Sequence, residues 1–365
     1  MLKKIKLFDP IIGIDEKQAL TKVLESKFWA SGYGSGNVLK FEEKFRKYIG
    51  SDTCVAVNSG TAALNLSLSL IDIKKCEVIL PSLTFVSTAN SVIINGGKPV
   101  FVDVDPNTLN IDPEKIENSL SSKTKIILPV HFGGMPCNLE KIHSLSKKHN
   151  LKIIEDAAHA AGSYYKNKNI GIHSMAVCFS FHPIKNLAMP TGGLISINDK
   201  KHKKIKQLLS ARRWCGITDR NKADYDVKEP GNNYYMNEFS AAIGLTQLKQ
   251  LDKLNNIRKK IAKRYFQEIK SAAKMPYNED CSYHFYWILV KNRNKFRKKM
   301  SKYGIETGIH YKPVHQFSFY KSRIKLKITE NIGKSVVTIP CHPNIKENDV
   351  GKIIKLINSS DSDLF

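Results

Sequence analysis

Between residues 54 and 197, short apolar segments alternate with longer segments in which apolar residues recur at helical spacing. The short segments predict seven β-strands separated by helix-sized intervals. This alternation is typical of an α/β fold, with a mostly parallel sheet and helices on both of its faces. The predicted strands are residues 54–58, 77–80, 99–104, 125–130, 152–156, 176–181 and 193–197.

A different pattern begins near Asn237. A long, charged helical pattern covers residues 247–269, and a predicted strand follows at 283–290. A chain of 365 residues with 42% hydrophobic residues can bury two cores. We therefore expect a large domain over residues 1–245 and a smaller C-terminal α/β domain over residues 246–365, with the N-terminal segment a candidate to pack on the smaller domain.

Three predicted strands end in, or are followed by, residues that can bind a ligand or take part in catalysis. Ser59-Gly60-Thr61 opens a predicted helix, Asp156 closes the fifth strand, and Lys185 follows the sixth. The carboxyl ends of parallel strands meet at one edge of a sheet, so these residues should lie together. A helix N-terminus can bind phosphate, a carboxylate can keep a pyridine nitrogen protonated, and a lysine can bind an aldehyde. The combination predicts a pyridoxal phosphate site.

Each of these features also has an ordinary explanation. Ser59 or Thr61 can simply cap a helix, and a lysine after a strand can be a surface residue. What favours the cofactor is that all three features occur in this order along the chain. In this interpretation Lys185 also acts as the general base of a transamination.

Neighbouring residues allow further hypotheses. Ser180 ends an apolar strand and can donate either to the phosphate or to local backbone. Glu155 rivals Asp156 by position, but strand alternation sends the two side chains to opposite faces. His159, one helical turn after Asp156, can contact the phenolic oxygen of the cofactor or can be a packing residue. Phe85 can stack on the cofactor ring or belong to the core.

The charge is strongly basic, with 58 Lys and Arg against 33 Asp and Glu and a formal net charge of +25. Such a balance attracts polyanions. The basic runs at 200–204 and 293–302 mix with apolar residues at helical spacing, which is typical of solvated helix faces. No nucleic-acid-binding signature accompanies them. We interpret the charge as compositional bias with a small share that steers an anionic substrate, and we expect no nucleic-acid partner.

The cysteines and histidines give no sign of a disulfide framework or of a metal site. The seven cysteines are scattered without a Cys-x-x-Cys pair, and the histidines lack the spacing of metal ligands. The first residues are charged but lead into no apolar signal segment, and no apolar run approaches the length of a membrane span. We therefore expect a cytoplasmic protein without a metal.

Taken together and in order, the motifs resemble the DegT/DnrJ/EryC1/StrS family of pyridoxal phosphate-dependent sugar aminotransferases of fold type I. The resemblance covers nearly the whole chain. It rests on Phe8-Asp9-Pro10 and on residues 57–64, 81–85, 102–106, 129–131, 155–159, 179–186, 232–236 and 308–311.

The resemblance implies a homodimer with shared active sites, L-glutamate as the amino donor, and a keto sugar on a nucleoside diphosphate as the acceptor. His159 stands where the family commonly has glutamine. By motif match, the resemblance implies that Lys185 binds the cofactor, that Asp156 contacts its ring nitrogen, and that Gly60, Thr61 and Ser180 bind its phosphate. Asn233 matches the asparagine that reaches across from the neighbouring subunit to the same phosphate.

Some positions depart from the family pattern. Tyr235 stands where many members have arginine, His182 where tyrosine is frequent, and residues 188–191 replace a more usual turn. We expect His182, Tyr235, His310 and Tyr311 near the substrate, so these departures affect which acceptor is used more than which reaction occurs.

Three alternatives to this function stay open. The first is the same transamination on a ulosonate or a small phosphorylated ketone. The second is a cofactor-dependent dehydration, which Lys185 disfavours because relatives that act as dehydratases have histidine there. The third is a non-catalytic basic protein that binds nucleic acid or has a regulatory role.

Overall fold

The computed structural model describes residues 4–221, 224–270, 272–320 and 322–360. Its strands are β1 (Thr53–Val57), β2 (Glu77–Pro81), β3 (Lys98–Val102), β4 (Thr124–Ile127), β5 (Lys152–Asp156), β6 (Tyr164–Tyr165), β7 (Lys168–Asn169), β8 (Ala176–Ser180), β9 (Gly193–Ile197), β10 (Ile217–Asn221), β11 (Asp224–Val227), β12 (Tyr286–Leu289) and β13 (Val336–Ile339).

The helices alternate with these strands over much of the chain. They are α1 (Ile14–Ser26), α2 (Gly36–Ile49), α3 (Gly60–Leu68), α4 (Val86–Ile94), α5 (Pro113–Glu117), α6 (Leu139–Lys148), α7 (His202–Arg212), α8 (Glu238–Glu268), α9 (Arg293–Lys302), α10 (Lys327–Ser335) and α11 (Glu347–Asn358), with short 3₁₀ turns at Phe132–Gly134 and Val314–Gln316. No helix in these described ranges is both long and apolar enough to cross a membrane.

A seven-stranded sheet forms the centre of the fold, in the order β1-β9-β8-β5-β4-β2-β3. All neighbours pair in parallel except β9, which is antiparallel to both β1 and β8. The predicted α/β class with a mostly parallel seven-stranded sheet is confirmed. The predicted fourth strand is longer than β4, which ends at Ile127, although the Leu128 N–H still donates to Ile79 O at 2.8 Å before Pro129 interrupts the row of donors.

Helices cover both faces of the sheet, so its strands are buried on both sides. On one face, the Phe45 ring of α2 lies 5.1 Å from the Phe179 ring of β8, and Phe41 lies 5.4 Å from Phe181. On the other face, apolar residues of α3 form a core with alternate residues of β1, including Val55. Burial on both faces explains why the strand sequences are almost continuously apolar.

The long helix α8 connects the sheet to the C-terminal part of the chain. It begins nine residues earlier than the helical pattern predicts, because the Asn237 side chain caps it by accepting the Ser240 N–H at 2.8 Å. The predicted domain boundary between residues 245 and 246 lies inside this helix. The later turns of α8 form a separate core with β12, β13 and α11.

The N-terminal segment contacts that C-terminal part. The backbone N–H of Ile5 donates to Gly304 at 2.8 Å, and the N–H of Glu306 donates back to Ile5 at 2.9 Å. The N–H of Leu7 donates to the Glu306 carboxylate at 3.0 Å. These bonds hold Phe8 against the His284 ring, with ring centroids 5.3 Å apart.

Candidate active site

A cavity of about 330 Å³ opens at the carboxyl ends of the parallel strands, where such folds bind ligands. Most of the residues predicted from sequence line it. Asn233 and Tyr235 do not line the cavity of their own chain. The lining includes Ser59, Gly60, Thr61, Phe85, Asp156, His159, Ser180, His182, Lys185, His310 and Tyr311.

The first turn of α3 forms one end of the cavity. Ser59 caps this helix by accepting the Ala62 N–H on its hydroxyl at 3.1 Å. A Cβ atom on Gly60 would lie only 2.7 Å from the Ser180 Cβ, and one on Gly193 only 2.3 Å from the Ser59 carbonyl oxygen. Glycine at both positions therefore lets the helix end and the Ser180 hydroxyl approach each other. With its partial positive charge, this helix end can hold a phosphate.

Asp156 is 4% exposed and faces the cavity from the end of β5. Its Oδ2 accepts the Thr88 hydroxyl at 2.8 Å, and its Oδ1 accepts the Ala158 N–H at 3.1 Å. Burial raises the pKa of Asp156, while both hydrogen bonds and the charge of Lys185 oppose that rise. A buried carboxylate held in this way is suited to a cationic partner such as a protonated pyridine nitrogen.

Glu155 points to the opposite side of the sheet, as strand alternation predicts. Its Oε2 lies 2.7 Å from Nε2 of His131, and both side chains are fully buried. The Nδ1 atom of His131 accepts the Cys137 N–H at 3.1 Å, so the proton lies on Nε2 and is donated to Glu155. This pair anchors the 131–137 turn rather than entering the cavity.

Lys185 follows β8 in a tight turn, in which its N–H donates to His182 O at 2.8 Å. Burial lowers the pKa of its ammonium group from 10.5 to about 8, and Asp156 opposes this change. The next residue holds the turn in place, because the Asn186 amide donates to Asn255 Oδ1 and to Ser282 O, both at 2.8 Å. A lysine with such a pKa is a good nucleophile in mildly alkaline solution.

His159 lies in a turn, so the expectation that it sits one helical turn after Asp156 is wrong. The Asp156 carboxylate accepts the Ala158 N–H, and this local bond competes with helix formation. His159 is nevertheless in the cavity wall, and burial, aided by the charge of Lys185, holds its pKa well below the ordinary value. Phe85, 54% exposed, stands at the cavity with its ring centroid 6.0 Å from that of Tyr311.

Two residues of the site were missed by sequence reasoning. Thr88 holds Asp156, and its hydroxyl lies 2.8 Å from that of Thr84. The only sequence signal is a pair of threonines four residues apart after β2. Asn186 holds the Lys185 turn through residues far along the chain, and no local pattern signals such contacts.

The residues present fit pyridoxal phosphate. The close approach of Gly60 to Ser180 leaves a small-residue cradle at a helix N-terminus for the phosphate. Asp156 and Lys185 line the same cavity, where the charge of Lys185 lowers the pKa of Asp156 and the charge of Asp156 raises the pKa of Lys185. In the described parts of the chain, no group of three or more His, Cys, Asp or Glu residues can hold a metal ion.

The chain is similar to known proteins in sequence and in fold. The DegT/DnrJ/EryC1/StrS aminotransferase family model matches residues 10–358. The spore coat polysaccharide biosynthesis protein SpsC of Bacillus subtilis is 37% identical over 371 aligned positions, with 95% of each chain covered. The uncharacterized protein MJ1066 of Methanocaldococcus jannaschii is 34% identical, with 96% of each chain covered.

Solved structures agree with the sequence matches. Helicobacter pylori PseC, an aminotransferase involved in pseudoaminic acid biosynthesis, superposes with a TM-score of 0.92 at 29% identity, covering 97% of this chain and 98% of that one. The PLP form of the putative sugar aminotransferase Spr1654 from Streptococcus pneumoniae has a TM-score of 0.91 at 25% identity, with 98% of both chains covered. This chain belongs to the DegT/DnrJ/EryC1/StrS aminotransferase family and is a pyridoxal phosphate-dependent aminotransferase.

Proposed function

We propose that this aminotransferase moves an amino group from L-glutamate to a keto sugar, most specifically a keto-deoxysugar linked to a nucleoside diphosphate. The product would serve amino-sugar or cell-surface polysaccharide biosynthesis. The observation that carries the proposal is the meeting of the α3 N-terminus, Asp156 and Lys185 at one cavity. Support for the sugar comes from SpsC and PseC, whose names refer to polysaccharide and to pseudoaminic acid biosynthesis.

Lys185 and Asp156 are the catalytic residues of the proposal. Bound here, pyridoxal phosphate supplies an aldehyde for the amino group and a ring that accepts the electrons of a broken Cα–H bond. Lys185 Nζ would hold the cofactor and, once displaced by the donor, would take up the α-proton and pass it on as the general base of the 1,3-proton shift. A pKa near 8 suits this base because much of the amine is neutral at slightly alkaline pH. Asp156 keeps the ring nitrogen protonated.

The remaining residues bind and orient. Ser59, Gly60, Thr61 and Ser180 surround the helix end that would receive the phosphate, where backbone N–H groups and hydroxyls donate to its oxygens. Phe85 is placed to cover a planar ring by stacking. His182 and His310 line the part of the cavity in which we place the substrate.

We further propose that the active unit is a homodimer, because the cavity of one chain is short of positive charge. Among the described residues that line it, Lys185 is the only lysine or arginine. Glutamate carries two carboxylates and a nucleotide-linked sugar carries a doubly charged diphosphate, and binding these anionic groups needs further cations or donors. A second copy of the chain can supply these groups.

Asn233 and Tyr235 are the residues we assign to the partner's cavity. They lie on a segment outside their own cavity, and this segment is firmly held. The N–H of Tyr234 donates to Arg213 O at 2.8 Å, and the Arg213 guanidinium pairs with Glu42 at 2.6 Å in a buried site. The segment can therefore present Asn233 at a fixed place on the surface.

The experiment that tests the proposed function is an acceptor screen. The loaded protein is first converted with L-glutamate, and the cofactor absorbance is followed. Nucleotide-linked keto sugars, the corresponding free sugars, a ulosonate and a small phosphorylated ketone are then offered in turn. The proposal expects the nucleotide-linked sugars to restore the starting spectrum fastest. It fails if L-glutamate leaves the spectrum unchanged, or if a free ketone is the better acceptor.

A further inference from the structure

The Tyr311 hydroxyl lies in the wall of the cavity and forms a hydrogen bond with a histidine. Its oxygen lies 3.2 Å from Nε2 of His159. Both residues line the cavity that holds Lys185 and Asp156. Which of the two groups donates decides what Tyr311 can offer to a ligand.

The proton of His159 is fixed on Nε2. The backbone N–H of Gly133, which can only donate, points at Nδ1 of His159 across 3.3 Å. Nδ1 therefore carries a lone pair, and a neutral ring must carry its hydrogen on Nε2. Burial, together with the nearby charge of Lys185, lowers the pKa of His159 and keeps the ring neutral.

The His159 ring is also held in position. The His284 ring stacks on it at a centroid distance of 4.6 Å and an angle of 26°. The Phe285 ring meets it edge-on at 5.2 Å. A ring confined in this way, with the Gly133 N–H on one edge, keeps its Nε2–H directed at the Tyr311 oxygen.

It follows that Tyr311 accepts from His159, so its own hydrogen must point elsewhere. Among the residues that the structure describes, the Tyr311 hydroxyl has no other hydrogen-bond partner. Burial and the nearby Asp156 raise the pKa of Tyr311, so the phenol keeps its proton. The result is a neutral donor facing the cavity, and the bond accepted from His159 strengthens it.

We propose that the Tyr311 hydroxyl donates to the carbonyl oxygen of the keto substrate, and that His159 is the positioning residue that directs it there. The inference rests on the proposed transamination and adds a role to the same site. A neutral donor of this kind gains most when negative charge develops on the oxygen it faces, as happens when an amine adds to a ketone. The same contact serves the keto acid that leaves the donor half of the reaction.

The test separates chemistry at the α-hydrogen from chemistry at the carbonyl oxygen. Loaded wild type and Tyr311→Phe are given L-glutamate in deuterated water, and deuterium entering the α-position is measured. Exchange of this hydrogen needs Lys185 and Asp156 but no carbonyl oxygen. Transamination is measured separately as the conversion of isotope-labelled 2-oxoglutarate to glutamate, which requires the carbonyl.

For Tyr311→Phe we expect deuterium exchange near the wild-type rate and transamination about 10²-fold slower, with the loss in kcat rather than KM. An equal loss in both assays would overturn the inference, since it would mean a structural role or a contact to the cofactor. No loss in either would overturn it too. If wild type itself fails to transaminate, the proposed function is at fault instead.

His159 variants provide the matched control. Glutamine can accept the Gly133 N–H and still donate to Tyr311, whereas leucine can do neither. His159→Gln should therefore retain transamination, and His159→Leu should lose it while keeping deuterium exchange. In the cofactor-free protein, nitrogen NMR of labelled histidine should give an unprotonated Nδ1 and a protonated Nε2 for His159. A signal from Nδ1–H or from an imidazolium would contradict the assignment.

Discussion

The hydroxyl of Thr88 donates to Oδ2 of Asp156 across 2.8 Å, in a buried contact between α4 and the end of β5. This bond favours the charged form of Asp156, against the burial that raises its pKa. Thr88→Val keeps the shape of the side chain but removes the donor. We expect single-turnover conversion of the cofactor with L-glutamate to slow about tenfold, the effect of about 1.4 kcal/mol for one hydrogen bond to a charged group.

Thr88→Ser is the control for that change, because it keeps the hydroxyl. Its conversion rate should stay close to wild type. Equal rates for the valine and serine variants would mean that the hydroxyl does not support Asp156.

The adjacent carboxylates Asp156 and Glu155 should differ in what they control. Asp156→Asn should still bind the cofactor but convert it with L-glutamate at least about 10²-fold more slowly, since the ring nitrogen loses its charged partner. Glu155→Gln weakens the buried pair with His131 and should lower the free energy of unfolding by about 1–2 kcal/mol. Its conversion rate should change little. Urea unfolding and single-turnover absorbance measure the two effects, and a reversed pattern would exchange the proposed roles.

Covalent loading of the cofactor should depend on the pKa of Lys185. Only the neutral amine attacks an aldehyde, so the loading rate of the cofactor-free protein should rise with pH through a midpoint near 8 instead of 10.5. The charge of Asp156 raises this pKa, so Asp156→Asn should move the midpoint to lower pH. Stopped-flow absorbance measures the rates. A midpoint near 10.5, or an upward movement in the variant, would contradict the account.

The placement of the catalytic and cofactor-binding residues at the ends of strands could be predicted from the sequence, because it depends on local patterns. The apolar runs located all seven strands of the sheet, and the residues after them located Ser59, Asp156 and Lys185 at one edge. The direction of Asp156 relative to Glu155 followed from alternation alone.

The supports of these residues could not be predicted, since they join distant parts of the chain. Thr88 and Asp156 are 68 residues apart, and Asn186 and Ser282 are 96 apart. The sequence predicts a helical turn at His159, because the competing bond from the Ala158 N–H to the Asp156 carboxylate leaves no mark on the periodicity.

Mixed dimers should reveal whether Asn233 acts in the partner's site. Lys185→Ala and Asn233→Ala proteins, each impaired alone, are mixed under conditions in which subunits exchange. In a hybrid both lesions fall in one site and the other site is intact. Random exchange should therefore restore about a quarter of wild-type activity. If mass spectrometry detects hybrids and activity never exceeds the sum of the parents, Asn233 acts within its own subunit.

The identity of the cofactor-binding lysine is the centre of the account, and borohydride reduction tests it most directly. The protein is loaded with pyridoxal phosphate, reduced, digested and mapped by mass spectrometry, with Lys185→Ala as the control. We expect the adduct on the peptide that contains Lys185 and none on that peptide in the control. An adduct on a different lysine of the wild-type chain, or no adduct after loading, would contradict the assignment of this cavity as the active site.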